Sequence, residues 1–150
     1  MRITIRPAGL ADEKALLDLV PQLFEAPGGP APGYTRERGS RGFRWAVEGE
    51  SSDVLLAFHG EQLVGLASVC ADIESIRYGS RAWLQDLVVD KHARSTGVGK
   101  ALLAAAAEWG RARGCTHLEL SSGLGRVDAH RFYEREGMMR GAYLFQMPLE

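Results

Sequence analysis

The stretch Leu87-Val88-Val89-Asp90-Lys91-His92-Ala93-Arg94-Ser95-Thr96-Gly97-Val98-Gly99-Lys100-Ala101-Leu102-Leu103 sets out an apolar strand, a short polar turn, two spaced glycines and a helical run, in that order. The first N–H groups of a helix lack internal partners and lie at the positive end of its dipole. A pyrophosphate can sit there if glycines let the backbone come close. Spacing excludes two nucleotide loops of this kind. A Walker A loop needs a glycine five residues before the Gly-Lys pair and a Ser/Thr after it, but Gly99-Lys100 has Arg94 before it and Ala101 behind. A dinucleotide fingerprint needs a third small residue where Leu102 stands. Further residues able to do chemistry are the carboxyl of Asp86 just upstream, and Arg126 and the Phe132-Tyr133 pair in a glycine-closed helical stretch.

These residues need elements to hold them. Ile3 and Ile5 alternate with polar residues in a short strand. A helical pattern of Leu16, Leu17, Leu19 and Val20 follows the acidic pair Asp12-Glu13, and Pro21 should kink or end it. Glu25 to Gly42 holds three prolines and five glycines and reads as a long loop with at most one helical turn. Val54 to Phe58 and Leu63 to Val69, parted by His59-Gly60-Glu61-Gln62, read as a hairpin. Trp83 to Val89 is the next strand, Gly97 to Arg113 a helix ended by Gly114, His117 to Leu120 a strand, Val127 to Glu136 a helix, and Tyr143 to Leu149 a last strand. Hairpins first and a strand-helix-strand unit later predict an α/β (α+β) domain with a mixed sheet and helices on its faces.

Arg94-Ser95-Thr96-Gly97-Val98-Gly99 resembles the acyl-CoA signature Gln/Arg-x-x-Gly-x-Gly/Ala of the GNAT acetyltransferases. Ala129-His130-Arg131-Phe132-Tyr133-Glu134-Arg135-Glu136-Gly137 resembles that superfamily's Ala-x-x-Phe-Tyr-Glu-x-x-Gly helix, placed one strand after the first motif as the family has it. The resemblance implies one GNAT domain over 1–150. Its twisted, mostly antiparallel sheet would have about six to seven strands and about four flanking helices, with two central strands splayed apart for acyl-CoA. It implies acetyl-CoA as cosubstrate and direct transfer of the acetyl group to a primary amine, hence an N-acetyltransferase.

Such a transfer needs a held donor, a neutral amine, stabilisation of charge on the carbonyl oxygen and a proton for the departing thiolate. By resemblance, the backbone of Arg94, Ser95, Thr96, Gly97, Val98 and Gly99 cradles the pyrophosphate, with Lys100 adding charge. Leu87, Val88 and Val89 line the pantetheine slot, with the Val89 N–H as donor to the carbonyl oxygen. Arg126, Ala129 and Phe132 fall on the cofactor side, and Tyr133 is the general acid. An amine of pKa about 10.4 costs about 4.6 kcal/mol to deprotonate at pH 7, so a base is expected. Many relatives carry glutamate in this strand; here Gln85 stands beside Asp86, and Asp86 is the candidate base. Arg126 replaces a common asparagine and could reach phosphates or a substrate carboxylate.

Hydrophobic residues make up 45% of the 150 and charged residues 25%, which suits a folded soluble domain and excludes disorder. A net charge of −1 recommends neither nucleic acid nor an acidic membrane as partner. The acceptor is then a small-molecule or peptide amine, and a homodimer is compatible. Cys70 and Cys115 have no disulfide-framework spacing, and no apolar leader or span is present, so a cytoplasmic location is expected. The four histidines do not cluster with cysteines or carboxylates, so no metal is expected. A non-catalytic acyl-CoA sensor and a structural adaptor of the same fold are the alternatives; retention of Tyr133, Gly97 and Gly99 weighs against them.

Overall fold

The structure, a computed structural model, describes residues 2–25, 28, 29 and 31–149. Its elements are β1 (Ile3–Pro7), α1 (Glu13–Leu19) with a 3-10 turn over Val20–Phe24, α2 (Arg36–Glu48), β2 (Ser52–His59), β3 (Gln62–Ser75), β4 (Gly79–Val89), α3 (Val98–Ala112), β5 (His117–Glu119) and α4 (Val127–Arg135). The strands form one five-stranded sheet in the order β1-β2-β3-β4-β5, antiparallel throughout except for the parallel pair β4–β5. The chain forms two compact units, Met1–Leu120 with the sheet and Ser121–Glu150 with α4.

In the first unit each face of the sheet has its own cover. Val54, Leu56, Leu66 and Val88 are buried with Leu16, Leu17, Leu19, Phe43 and Ala46 of α1 and α2. The other face lies against α3, where a Cβ added at Gly65 would meet Leu102 Cδ1 at 2.9 Å, the Val88 carbonyl at 3.0 Å and Val98 Cγ1 at 3.0 Å. Leu102 and Val98 are among the most deeply buried side chains, so they cannot swing away. Gly65→Ala is therefore expected to destabilise the protein by about 1–3 kcal/mol, read as a lower denaturant midpoint at unchanged slope.

Three readings of the sequence are corrected. The loop expected over Glu25 to Gly42 gives way to α2 at Arg36. The Thr35 hydroxyl caps that helix by accepting from the Arg38 N–H at 3.0 Å, and burial of Phe43 and Ala46 outweighs the helix cost of Gly39 and Gly42. Ala26, Pro27 and Pro30 of that loop lie outside the described residues. Tyr143 to Leu149 has the alternation of a strand but carries no strand assignment, and Tyr143, Phe145, Met147 and Leu149 are exposed. Alternation records which faces could be buried and supplies no ladder partner. The described sheet accordingly has five strands, below the expected six to seven. Pro21 acts as anticipated: α1 stops at Leu19, and the chain tightens into the 3-10 turn with proline in its first positions.

Candidate active site

β4 pairs with β3 as far as Val89↔Gly65, whereas its pairing with β5 covers only Arg81↔His117, Ala82↔Leu118 and Trp83↔Glu119. Beyond Trp83 this pairing ends, because β5 stops at Glu119. Backbone direction in the remainder of β4 follows from its hydrogen bonds. The Asp90 N–H donates to the Val64 carbonyl at 2.8 Å and the Asp86 N–H to Ser68 Oγ at 3.1 Å, so residues 86, 88 and 90 turn their N–H groups toward β3. By the two-residue period of a strand, Leu87 and Val89 turn theirs away from β3, to the side where pairing with β5 has ended. The Val89 carbonyl points the same way and accepts from Arg94 Nε at 3.3 Å, laying that exposed guanidinium across the end of the strand. Val88 instead directs its N–H to β3 and its side chain into the core.

The turn after β4 is held by Asp90: its Oδ1 accepts from the His92 N–H and its carbonyl from the Ala93 N–H, each at 2.8 Å. The Thr96 hydroxyl donates to the Ala93 carbonyl. Ser95 (φ 63°) and Gly97 (φ 90°) are both left-handed, a backbone that turns successive N–H groups into one concavity. Gly97 occupies the N-cap of α3 and has no side chain to satisfy the first helical N–H groups, so those of Val98, Gly99 and Lys100 remain available to an anion. Lys100 is exposed in this first turn. A glycine in place of the usual Ser, Thr or Asp cap leaves the site open, and the residues present fit a pyrophosphate with an extended arm running along β4.

The register of β3 and β4 jumps from Ser68↔Asp86 to Val69↔Leu84, leaving Gln85 as the extra residue of a β-bulge. A bulge re-aims the side chains beside it. Asp86 accordingly turns to the α1/α2 face, where Ser68 Oγ lies 3.4 Å from its Oδ2. Burial pushes the Asp86 carboxyl above the ordinary aspartate range, and the Ser68 hydroxyl offsets part of this. A carboxylate so desolvated takes up a proton more readily than one in water.

In the second unit, Arg126 is the N-cap of α4, which carries Ala129, Phe132 and Tyr133. The Phe132 and Tyr133 rings lie 5.3 Å apart, tilted at 58°. Burial raises the Tyr133 phenol while the positive charge of Arg126 opposes the rise, so at neutral pH the hydroxyl keeps its proton. His130 Nε2 is 2.9 Å from the Gly123 carbonyl, which ties α4 to the loop before it. The sequence-predicted residues thus fall into two groups. Asp86 to Val89 and Arg94 to Lys100 are brought together in one unit, and Arg126, Ala129, Phe132 and Tyr133 in the other.

The sequence profile described as "Acetyltransferase (GNAT) family" matches residues 15–138, which takes in both groups. The chain belongs to the GNAT acetyltransferase family. It is 46% identical over 76 residues to a Bacillus subtilis (strain 168) protein named "Uncharacterized N-acetyltransferase YhdJ", covering 50% of this chain and 54% of that one. It is 35% identical over 94 residues to an aminoalkylphosphonate N-acetyltransferase of Salmonella typhimurium (strain LT2), covering 63% and 61%. The chain thus spans between half and two thirds of the length of these curated relatives. In fold it is similar to the aminoglycoside acetyltransferase AAC(6')-Iy solved with a bisubstrate analogue, with a TM-score of 0.85 at 16% identity over 100% of this chain and 99% of that one.

Within this GNAT framework, sequence reasoning missed Gln22. From the 3-10 turn after α1, its amide nitrogen donates to Asp90 Oδ2 at 3.2 Å and its oxygen accepts from the Lys91 N–H at 2.9 Å. One side chain 68 and 69 residues away in sequence therefore pins both ends of the first step of the turn after β4. Nothing in the local pattern around Pro21-Gln22 signals so distant a partner.

Proposed function

We propose that the chain is an acetyl-CoA-dependent N-acetyltransferase that passes an acetyl group directly to a primary amine, as a single GNAT domain formed by 1–150. The observation that carries this reading is the run of β4 beyond its last pairing with β5, where the Leu87 and Val89 N–H groups turn to the side away from β3, followed by an uncapped, glycine-led helix start. The relatives' names support an amine acceptor, since they act on an aminoalkylphosphonate and on an aminoglycoside. When bound, acetyl-CoA supplies an acetyl thioester. The N–H groups from Ser95 to Lys100 hold its pyrophosphate, with Arg94 and Lys100 adding positive charge, and Leu87 and Val89 pair with its pantetheine arm.

Asp86, directly or through one water, takes a proton from the acceptor ammonium so that the nitrogen lone pair can attack the carbonyl carbon. The Val89 N–H donates to the carbonyl oxygen as it gains charge. Once the N–C bond forms, the positively charged nitrogen gives up its second proton to solvent; as the C–S bond breaks, Tyr133 gives its hydroxyl proton to the departing sulfur, and the proton held by Asp86 passes through solvent to Tyr133, which restores both residues. Arg126, Ala129 and Phe132 set the surroundings of Tyr133. The setting is a reducing cytoplasm; a homodimer is compatible with all of these roles.

Donor binding is tested without any acceptor. CoA at a hundredfold excess over its Kd should stabilise the folded protein by about 2.7 kcal/mol, seen as a rise in Tm. Gly99→Val places a branched side chain in the first turn of α3, where the phosphates approach, and is expected to remove most of that rise. An undiminished rise in a folded Gly99→Val protein would take away the pyrophosphate cradle. Thiol release across an amine panel then tests transfer itself.

A further inference from the structure

The α1/α2 face of the sheet is covered over Leu56, Leu66 and Val88 but continues past Asp86 along Trp83 and Arg81, which pair with Cys70 and Ile73 on β3 and with Glu119 and His117 on β5. Most polar groups on this continuation are already matched. Arg81 makes a two-point ion pair with Asp72, Nε to Oδ1 at 3.0 Å and Nη2 to Oδ2 at 2.6 Å, and its guanidinium lies 4.6 Å from the centroid of the Trp83 ring. His117 pairs with Glu119 at 2.9 Å, and Ser68 is engaged with Asp86. Gln85 differs. The Trp83 indole N–H donates to its Oε1 at 2.7 Å. An indole N–H can only donate, so this bond fixes which way round the amide sits. The acceptor half of Gln85 is consumed, and its NH2, which makes no hydrogen bond among the described residues, is held ready as a donor on an exposed side chain next to Asp86.

We propose that Gln85 selects the acceptor: its amide NH2 donates to an oxygen carried close to the reacting amine, favouring amines with a hydroxyl or oxyacid group over plain alkylamines. The proposal rests on the transferase reading, because Gln85 can sort acceptors only if Asp86 receives the acceptor's proton. Trp83 is the positioning residue. Were its N–H removed, the amide could turn over and present an oxygen instead. The neighbouring Arg81 does not substitute for Gln85, since Asp72 already neutralises it and holds two of its three nitrogens.

The test compares kcat/KM by thiol release for propylamine, 2-aminoethanol and 2-aminoethylphosphonate in native protein, Gln85→Leu and Gln85→Glu, with Tm and CoA binding confirming that each is folded. Differences in amine basicity cancel when the oxygen-to-alkyl ratio is compared between proteins. Losing a neutral hydrogen bond should lower the ratio about 3- to 10-fold for the alcohol in Gln85→Leu, and losing one to a charged group about tenfold or more for the phosphonate. Gln85→Glu keeps an oxygen for the Trp83 N–H but can no longer donate, so the phosphonate should fall furthest there, an outcome that a purely structural role would not produce. Ratios within twofold of native in both variants overturn the assignment while leaving the transferase reading intact. Native protein that binds CoA yet acetylates propylamine alone overturns it equally, and protein that binds CoA and acetylates none of the three overturns both.

Discussion

Tyr133→Phe is expected to bind acetyl-CoA with near-native affinity while kcat falls by about 10²–10⁴-fold, the usual contribution of a general acid. The ring and its tilted contact with Phe132 survive the substitution, so the packing of α4 does not change; only the hydroxyl is lost. Calorimetric Kd and thiol-release kcat separate the roles. A group acting only at the transition state lowers kcat and kcat/KM together, and one that mainly holds the donor weakens Kd in step with rate. Because burial raises the Tyr133 phenol, the acid form persists above the ordinary tyrosine range. The alkaline limb of the native kcat profile should therefore lie beyond about pH 10 and be absent from the Phe variant. Native kcat in a folded Tyr133→Phe protein would end the assignment.

Asp86→Asn should lower kcat/KM by about 10²-fold or more, because the amide fills the carboxyl's place beside Ser68 without accepting a proton. Its pH profile makes this distinct from a packing defect. In the proposed role Asp86 takes a proton only when ionised, and burial raises its pKa, so native activity should fall with decreasing pH along a limb above the ordinary aspartate range near 3.9. That limb should disappear in the Asn variant. The carboxylate's burial also costs folding stability at neutral pH, where it is ionised. The cost is relieved as pH drops through the raised native value, so Asp86→Asn should be at least as stable as native protein at pH 7. Lower stability together with an unchanged acid limb would show Asp86 to be structural.

The elements of the candidate donor site were legible in the sequence because their signals are local. A strand, a turn and a glycine-led helix are contiguous between Leu87 and Leu103, and each imposes its own period or cap. The bulge that aims Asp86 was not legible, since it arises from a mismatch in register between two strands, and neither strand alone shows it. Gln22 escaped for the same reason, its partners being distant in the chain. α2 was misread because Gly39 and Gly42 weigh heavily in a local count, whereas the energy that outweighs them comes from Phe43 and Ala46 meeting the sheet. The alternation in Tyr143 to Leu149 failed in the opposite sense: a pattern was present, and a strand partner among the described residues was not.

The shortness of β5 has a consequence for how this protein can change over generations. The edge of β4 beyond that pairing presents main-chain N–H groups, which every residue except proline possesses, so replacing Leu87 or Val89 with another strand-forming residue alters little of what the edge offers. Sorting of acceptors falls instead to side chains such as Gln85 and Trp83 on the adjoining face, where one codon change rewrites the chemistry on display. A lineage built this way can try new amines without risking its common donor, and relatives can drift far apart in sequence while the architecture stays the same.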